Sequence, residues 1–314
     1  MVKRKITIII LVLVLAVLST GCFSPKPWFL DFKKDYDVDK EERVDITSRT
    51  VENIELKLIS KNIRILKSDN SDMNITISGS IESNFTPDIY IQDIGKTVEI
   101  RDSNKTFNNS DYKNNDLNFT IYVPEELYKD LSVDTITGNI TIDGIKFKDL
   151  ETNNISGSTK VNSIESNNLE MDSVSGNMEV HNSSIFSIEL DTVSGKSILD
   201  NIKTRSVEFN SVSGSLDSQG EYESFRGDTV SGDVTISVRN IQDDYIINTV
   251  SGDVTLDISD INGFNFRFNS LSGEIETEKT LNFNRIHNDT IEGSYGSGGS
   301  LINLKTTSGD LVIN

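Results

Sequence analysis

The chain has 314 residues, with 49 Asp and Glu against 30 Lys and Arg, for a net charge of −19. So acidic a protein does not hold nucleic acid or anionic lipid through its own field, and any charged partner should be basic. It has one cysteine, so no disulfide can form within the chain, and the fold must stand on packing and hydrogen bonds.

The first segment, "MVKRKITIIILVLVLAVLSTGC", opens with Lys3, Arg4 and Lys5, continues apolar from Ile6 to Leu18, and ends in small residues and Cys22. That order of parts is a secretory signal, and the apolar run falls short of the roughly 20 residues that span a bilayer. The ending "LSTGC" resembles a bacterial lipoprotein processing box. The resemblance implies cleavage after residue 21, a diacylglyceryl group on Cys22, and an extracytoplasmic protein anchored to the cell membrane. Two acyl chains anchor stably where one does not. Losing three cations would take the net charge from −19 to −22. Residues 22–44 hold two prolines and mixed charges, and read as a tether.

Residues 45–131 are expected to form an irregular β cap. "VENIELKLISKNIRIL", "MNITISGSIES", "DIYIQDIGKTVEIRD" and "LNFTIYV" alternate at period two and predict strands. Residues 103–116 read as a polar loop. "PEELYKDL", 124–131, predicts a two-turn helix with Pro124 at its first position.

From 132 to 314 an internal repeat dominates. Glycines 138, 157, 176, 195, 214, 232, 252, 273, 293 and 309 align at steps of 19, 19, 19, 19, 18, 20, 21, 20 and 16. Four residues before them stand Asp134, Asn153, Asp172, Asp191, Asn210, Asp228, Asn248, Asn269 and Asp289, with Lys305 breaking the row. Three before, all but Asn154 are Ser or Thr. Seven before, all are apolar, from Leu131 to Ile286 and Ile302. A period near 19 is too short for a helical hairpin repeat, and no unit of that size buries its own apolar side. Stacked coils about 4.8 Å apart pair their backbones and bury apolar ladders. The fold class that follows is all-β: a single-stack parallel β-helix, or β-solenoid, of about ten coils. The Asp/Asn row is expected to be a structural turn ladder at a coil corner, each side chain bonding a backbone N–H two residues on. "GSYGSGGS", 293–300, reads as a tight bend before a short last coil.

No catalytic site, cofactor or metal site is expected. The two histidines, His181 and His287, lie in different coils, the row is half neutral amide, and no phosphate-loop or nucleophile-elbow motif occurs. Coils of 16–21 residues leave no room for the long loops with which parallel β-helix enzymes build clefts.

The rows "VDTITGNITIDG", "MDSVSGNMEV", "RGDTVSGDVTISV" and "GSGGSLINLKTTSGDLVIN", preceded by "FTIYVPEEL", resemble the putative-adhesin family of bacterial β-strand repeat proteins, a domain of unknown function. The resemblance covers about residues 45–314 and implies a β-solenoid at the cell envelope. The expected function is non-enzymatic: a solenoid surface for an envelope protein or glycan, or for sensing envelope stress. A glycan-active β-helix enzyme and a structural spacer are the alternatives.

Overall fold

A computed structural model describes residues 34–44, 51–59, 61–83, 89–102, 112–124, 128–239, 241–258 and 261–314. Cys22 and the signal segment lie outside the described residues. The described part is all-β, with no helix among its elements. Residues 34–44, expected in the tether, instead form the strand Lys34–Val44, antiparallel to Met73–Ser83.

The stack has two ladders of parallel strands joined at corners. Tyr128–Thr137, Phe147–Ser156, Glu165–Ser173 and Ser184–Thr192 pair in register, so that Leu131, Leu150, Leu169 and Ile188 lie above one another. Ile140–Asp143, Thr159–Asn162 and Met178–His181 form the second ladder. The row seven before the glycine is interior: Leu131, Leu150, Leu169, Ile188, Val207, Phe225, Tyr245, Phe266 and Ile302 are each at most 2% exposed. Phe225 and Tyr245 stack with ring centroids 6.0 Å apart. Ile286 is the exception, at 69% exposed.

The corner explains the glycines by close approach. A Cβ on Gly176 would sit 1.8 Å from the carbonyl oxygen of Gly157, and one on Gly232 would sit 1.8 Å from that of Gly214. The hydroxyl three residues earlier closes the turn: Ser173 Oγ accepts from Gly176 N–H at 2.8 Å, as Ser211 does from Gly214 and Thr306 from Gly309. A second corner, not anticipated from the sequence, is left-handed at Gly144, Ser163, Asn182 and Asn201. Its spacing is also 19, and Asn201 Nδ2 donates to Asn182 Oδ1 at 2.9 Å. Asn, Gly and short polar residues tolerate that backbone region.

Three expectations are corrected. The helix over 124–131 is absent: Pro124 ends one strand and Tyr128–Leu131 begin another, with 125–127 outside the described residues. Tyr128 and Leu131 are each 1% exposed, and stacking them on Phe147 and Leu150 outweighs a weak local helix preference. The parallel stack also begins before residue 132. Asn53–Leu58 and Asn62–Ser68 form a coil inserted between strands 97–102 and 118–124 on one side and strands 128–137 and 140–143 on the other.

The third correction concerns the last coils, which do not stack in chain order. Leu301–Lys305 pairs with both Tyr245–Asn248 and Gly263–Asn269, and Leu311–Ile313 pairs with both Val254–Asp257 and Ile275–Thr277. The Gly309 coil therefore lies between those of Gly252 and Gly273. Gly293 belongs to no coil. It lies in Thr290–Gly296, antiparallel to Gly263–Asn269 and to Leu281–His287. The glycine-rich bend starts at Gly296 and leads into the inserted coil. Antiparallel strands thus cover both ladders at the N-terminal end and the Gly263–Asn269 ladder at the C-terminal end, edges that a parallel repeat leaves open.

The coil is the unit of stability, so deleting one whole period should be tolerated. Removing 177–195 joins Gly176 to Lys196 and leaves each row with a like neighbour. The β signal in circular dichroism should persist with a small fall in melting temperature. Removing 177–186 instead puts interior rows out of step and should abolish cooperative melting. Equal damage from both deletions would contradict the coil assignment.

Candidate functional site

One long edge of the solenoid combines two adjacent rows. The first is the Asp/Asn row, which lies on the strands rather than in the turn. Asp134, Asn153, Asp172, Asp191, Asn210, Asp228 and Asn248 are consecutive rungs in register, all half-buried. Amides bridge to carboxylates of the coil below: Asn153 Nδ2 donates to Asp134 Oδ1 at 2.8 Å, Asn210 to Asp191 at 2.8 Å, and Asn248 to Asp228 at 2.7 Å. Lys305 follows Asn248, and Asn269 follows Lys305. Asp289 falls outside the row: Thr290 faces Asn269 and accepts its amide at 2.7 Å. The expected turn role belongs to the Ser/Thr row instead.

The Asp/Asn residue directly after the glycine has its own ladder, which the sequence reading missed. Asn139 Oδ1 accepts from Ser158 N, Asn177 from Lys196 N, Asp233 from Asp253 N, and Asp253 from Asp310 N, all at 2.9–3.0 Å. The recurring "SGN" and "SGD" are its sequence signal.

Asp172 and Asp191 are the one place where two acids of the row are consecutive. Burial, then the Asp191 carboxylate and the nearby Glu170, Glu151 and Glu189, push the Asp172 carboxyl up to about 7. Two residues earlier, Glu151, Glu170, Glu189 and Glu208 are also stacked in register, so this face is strongly acidic.

The second exposed row crosses the corner itself, two residues before each glycine. Ile136, Ile155, Val212, Val230 and Val250 are 39–48% exposed and Leu271 is 71% exposed; Val174 and Val193 are half-buried. At about 4.8 Å per coil the unbroken run from Ile136 to Val250 is about 29 Å, and Leu271 lies beyond Thr307 of the inserted coil. Scattered apolar residues on a surface need no explanation, but a continuous row does. The corner backbone does not require it, because Thr307 holds the same position in the inserted coil, its N–H bonded to Val250 O at 3.2 Å. The adjacent seryl hydroxyls are turned back onto carbonyls of the coil below, as Ser213 Oγ donates to Val193 O at 3.1 Å. A shallow groove between ridge and ladder is lined by Ser211, Asp228, Thr229, Val230, Asn248, Thr249 and Val250.

Other chemistry is sparse. His181 lies between Glu179 and Asp200, 3.3 Å from each, and His287 is on the strand Leu281–His287. Among the described residues no cluster of three or more His, Cys, Asp or Glu could hold a metal ion. Among the aromatic residues of the later coils, Tyr222, Phe225, Tyr245, Phe264 and Phe266 are buried. Phe186 is 56% exposed, with the Arg205 guanidinium 5.5 Å from its ring centroid. They therefore form no aromatic platform.

Solved structures share the fold. A putative adhesin from Parabacteroides distasonis is 10% identical, with 89% of this chain and 97% of that chain covered and a TM-score of 0.53. A putative adhesin from Parabacteroides merdae is 11% identical over 88% and 96%, with a TM-score of 0.52. A putative lipid binding protein from Parabacteroides distasonis is 14% identical over 88% and 97%, with a TM-score of 0.54. No curated protein matches the chain by sequence. Residues 51–314 match a family of repeat proteins, beginning at the first inserted coil and including every rung of the ladder and ridge, and the chain belongs to that family, Toastrack DUF4097.

Proposed function

We propose that this chain is a non-enzymatic envelope protein, held to the cell membrane by lipid on Cys22, whose solenoid edge binds an envelope protein or glycan. The observation that carries the reading is the aliphatic ridge from Ile136 to Val250 beside the Asp/Asn ladder. It is a long apolar row on a strongly acidic body, and the backbone does not demand it. A ridge of fixed repeat suits an extended partner lying along the stack, and the acidic ladder favours basic groups on that partner. Similar folds bearing the description putative adhesin or putative lipid binding protein agree with a binding role. Envelope-stress sensing would use the same surface, with occupancy as the signal.

The test is capture from an envelope extract on residues 34–314, with and without Val212→Asp, Val230→Asp and Val250→Asp. These side chains are 43–48% exposed, so the triple variant should keep its fold while losing at least about tenfold in capture. Equal capture by both would remove the ridge from the proposal, and no capture by either would favour a spacer. The anchor is tested separately. Cys22→Ala should move the protein from the membrane fraction to the soluble one, and a variant that stays membrane-bound would replace the lipid with an uncleaved helix.

A further inference from the structure

The inserted coil at the C-terminal end of the stack has an unusual status. Leu301–Ile313 occupies a slot whose two walls, Tyr245–Asp257 and Gly263–Thr277, both precede it in the chain. It bonds to both. Thr249 N donates to Lys305 O and Thr306 N to Asn269 O, each at 2.9 Å. Val254 N donates to Asp310 O and Leu311 N to Glu274 O, also at 2.9 Å. Asp310 is a rung of the post-glycine ladder on both sides: its N–H donates to Asp253 Oδ1 at 2.9 Å, and its own Oδ1 accepts from Glu274 N at 2.8 Å. Its corner fits as every other does, Gly309 against the Gly252 carbonyl and Gly273 against the Gly309 carbonyl. The link from the preceding strand runs through Gly296, Gly298 and Gly299, all left-handed, in "GSYGSGGS".

We propose that this coil is exchangeable, so that the slot of one molecule accepts Leu301–Ile313 of a second copy in a reciprocal swap. A coil arriving from another molecule makes the same backbone bonds and the same glycine contacts, because nothing in the slot depends on which chain supplies it. Only the path of the glycine-rich link differs, and exchange of an identical element is a low-cost route to a dimer. Chain order makes the exchange accessible. Until residues 301–313 arrive, Tyr245–Asp257 presents an open parallel edge with unpaired N–H and C=O groups, and such edges recruit strands. The occupant is restricted by chemistry. It must place apolar residues where Ile302, Leu304, Leu311 and Ile313 are now buried, and a glycine at the corner. A second copy of this chain carries that pattern.

The experiment uses two full-length chains, each with Cys22→Ser, one carrying Arg267→Cys and the other Asn303→Cys. These positions are direct partners in the slot. The chains are mixed, unfolded, refolded together at high concentration and oxidised. A disulfide between the two chains is expected, while a mixture of Glu170→Cys and Glu189→Cys chains, partners in coils that follow each other in sequence, should not link. The double variant in one chain sets the efficiency of closure. If it closes within the chain and the mixture gives no linked pair, the exchange is overturned. Light scattering on the Cys22→Ser chain, which carries no lipid, gives an independent reading. A dimer formed on refolding at high concentration that survives dilution is expected, and monomer at every concentration overturns the proposal.

Discussion

Gly176→Ala will lose about 3 kcal/mol or more of stability, although it adds a single methyl to an otherwise unchanged corner. The backbone at Gly176 is not left-handed, so the cost is one of space. The new Cβ would lie 1.8 Å from Gly157 O and 2.9 Å from Gly157 C, and a carbonyl held in the coil below cannot retreat as a flexible side chain could. Relief requires parting the two coils, which strains the ladder bonds Val174 N to Asn154 O and Ser175 N to Ile155 O. Gly95→Ala is the control. Its φ is +69° and nothing lies within 4 Å of the added Cβ, so it should lose only the roughly 1–2 kcal/mol of left-handed strain. Urea titration followed by circular dichroism should separate the two. If Gly176→Ala proves no worse than Gly95→Ala, the coils are not in contact through this corner.

Asp172→Asn will stabilise the protein at pH 8 by about 2 kcal/mol and flatten its stability between pH 4 and pH 7. The carboxyl of Asp172 titrates near 7 in the folded chain against an ordinary 3.8, because burial withdraws it from water and it faces Asp191. Between those values the folded protein holds a proton that the unfolded chain has released. Its contribution is therefore complete below about pH 4 and is lost as pH rises through 7, with an upper limit of about 4 kcal/mol. The charged groups that shift it are all acidic: Asp191, Glu170, Glu151 and Glu189. The neighbouring rungs offer Glu151 and Asn153 below, Glu170 on the same strand, Glu189 and Asp191 above, and Glu208 and Asn210 beyond. Asparagine at 172 would restore the amide-to-carboxylate bond seen between Asn153 and Asp134. Comparing wild type and variant at pH 4.5 and pH 8 isolates this group from the other carboxylates. A variant less stable than wild type at pH 8 would show that the ionised pair is not a source of strain.

Much of the core was legible because a solenoid repeats its environment. Leu131, Leu150, Leu169, Ile188, Val207, Phe225, Tyr245, Phe266 and Ile302 are at most 2% exposed, and all stand seven residues before an aligned glycine. The Asp/Asn row was visible as a row, but its role was misassigned. An Asp or Asn near a glycine suggests a turn bond, whereas the neighbouring coil supplies a stronger partner at equal height, and Ser173 and its equivalents already close the turn. The ridge was hidden for a related reason. Val212, Val230 and Val250 fall on the outward phase of the strand alternation, with Asn210, Asp228 and Asn248, and apolar residues at single outward positions form a visible row only once the coils are stacked. Asp289 and Ile286 were drawn into the rows because Gly293 lies at the right distance from Gly273, yet they sit on an exposed antiparallel hairpin.

The period, the interior rows and the glycine corners can be read from the order of residues alone, because each is set by what any coil meets from any like neighbour. That order by itself does not determine which coil lies against which. An in-register parallel ladder offers nearly the same bonds to every repeat, so the order of stacking at both ends is decided by contacts that do not repeat. At the C-terminal end these include Ser300 Oγ donating to Gln242 O at 2.8 Å, Leu301 N donating to Asp244 Oδ1 at 3.2 Å, and Phe283 set edge-on to Phe266 with ring centroids 6.1 Å apart. Those contacts exist only once the strands are placed, and the tertiary structure therefore chose the insertion of residues 301–313 between two coils that precede them.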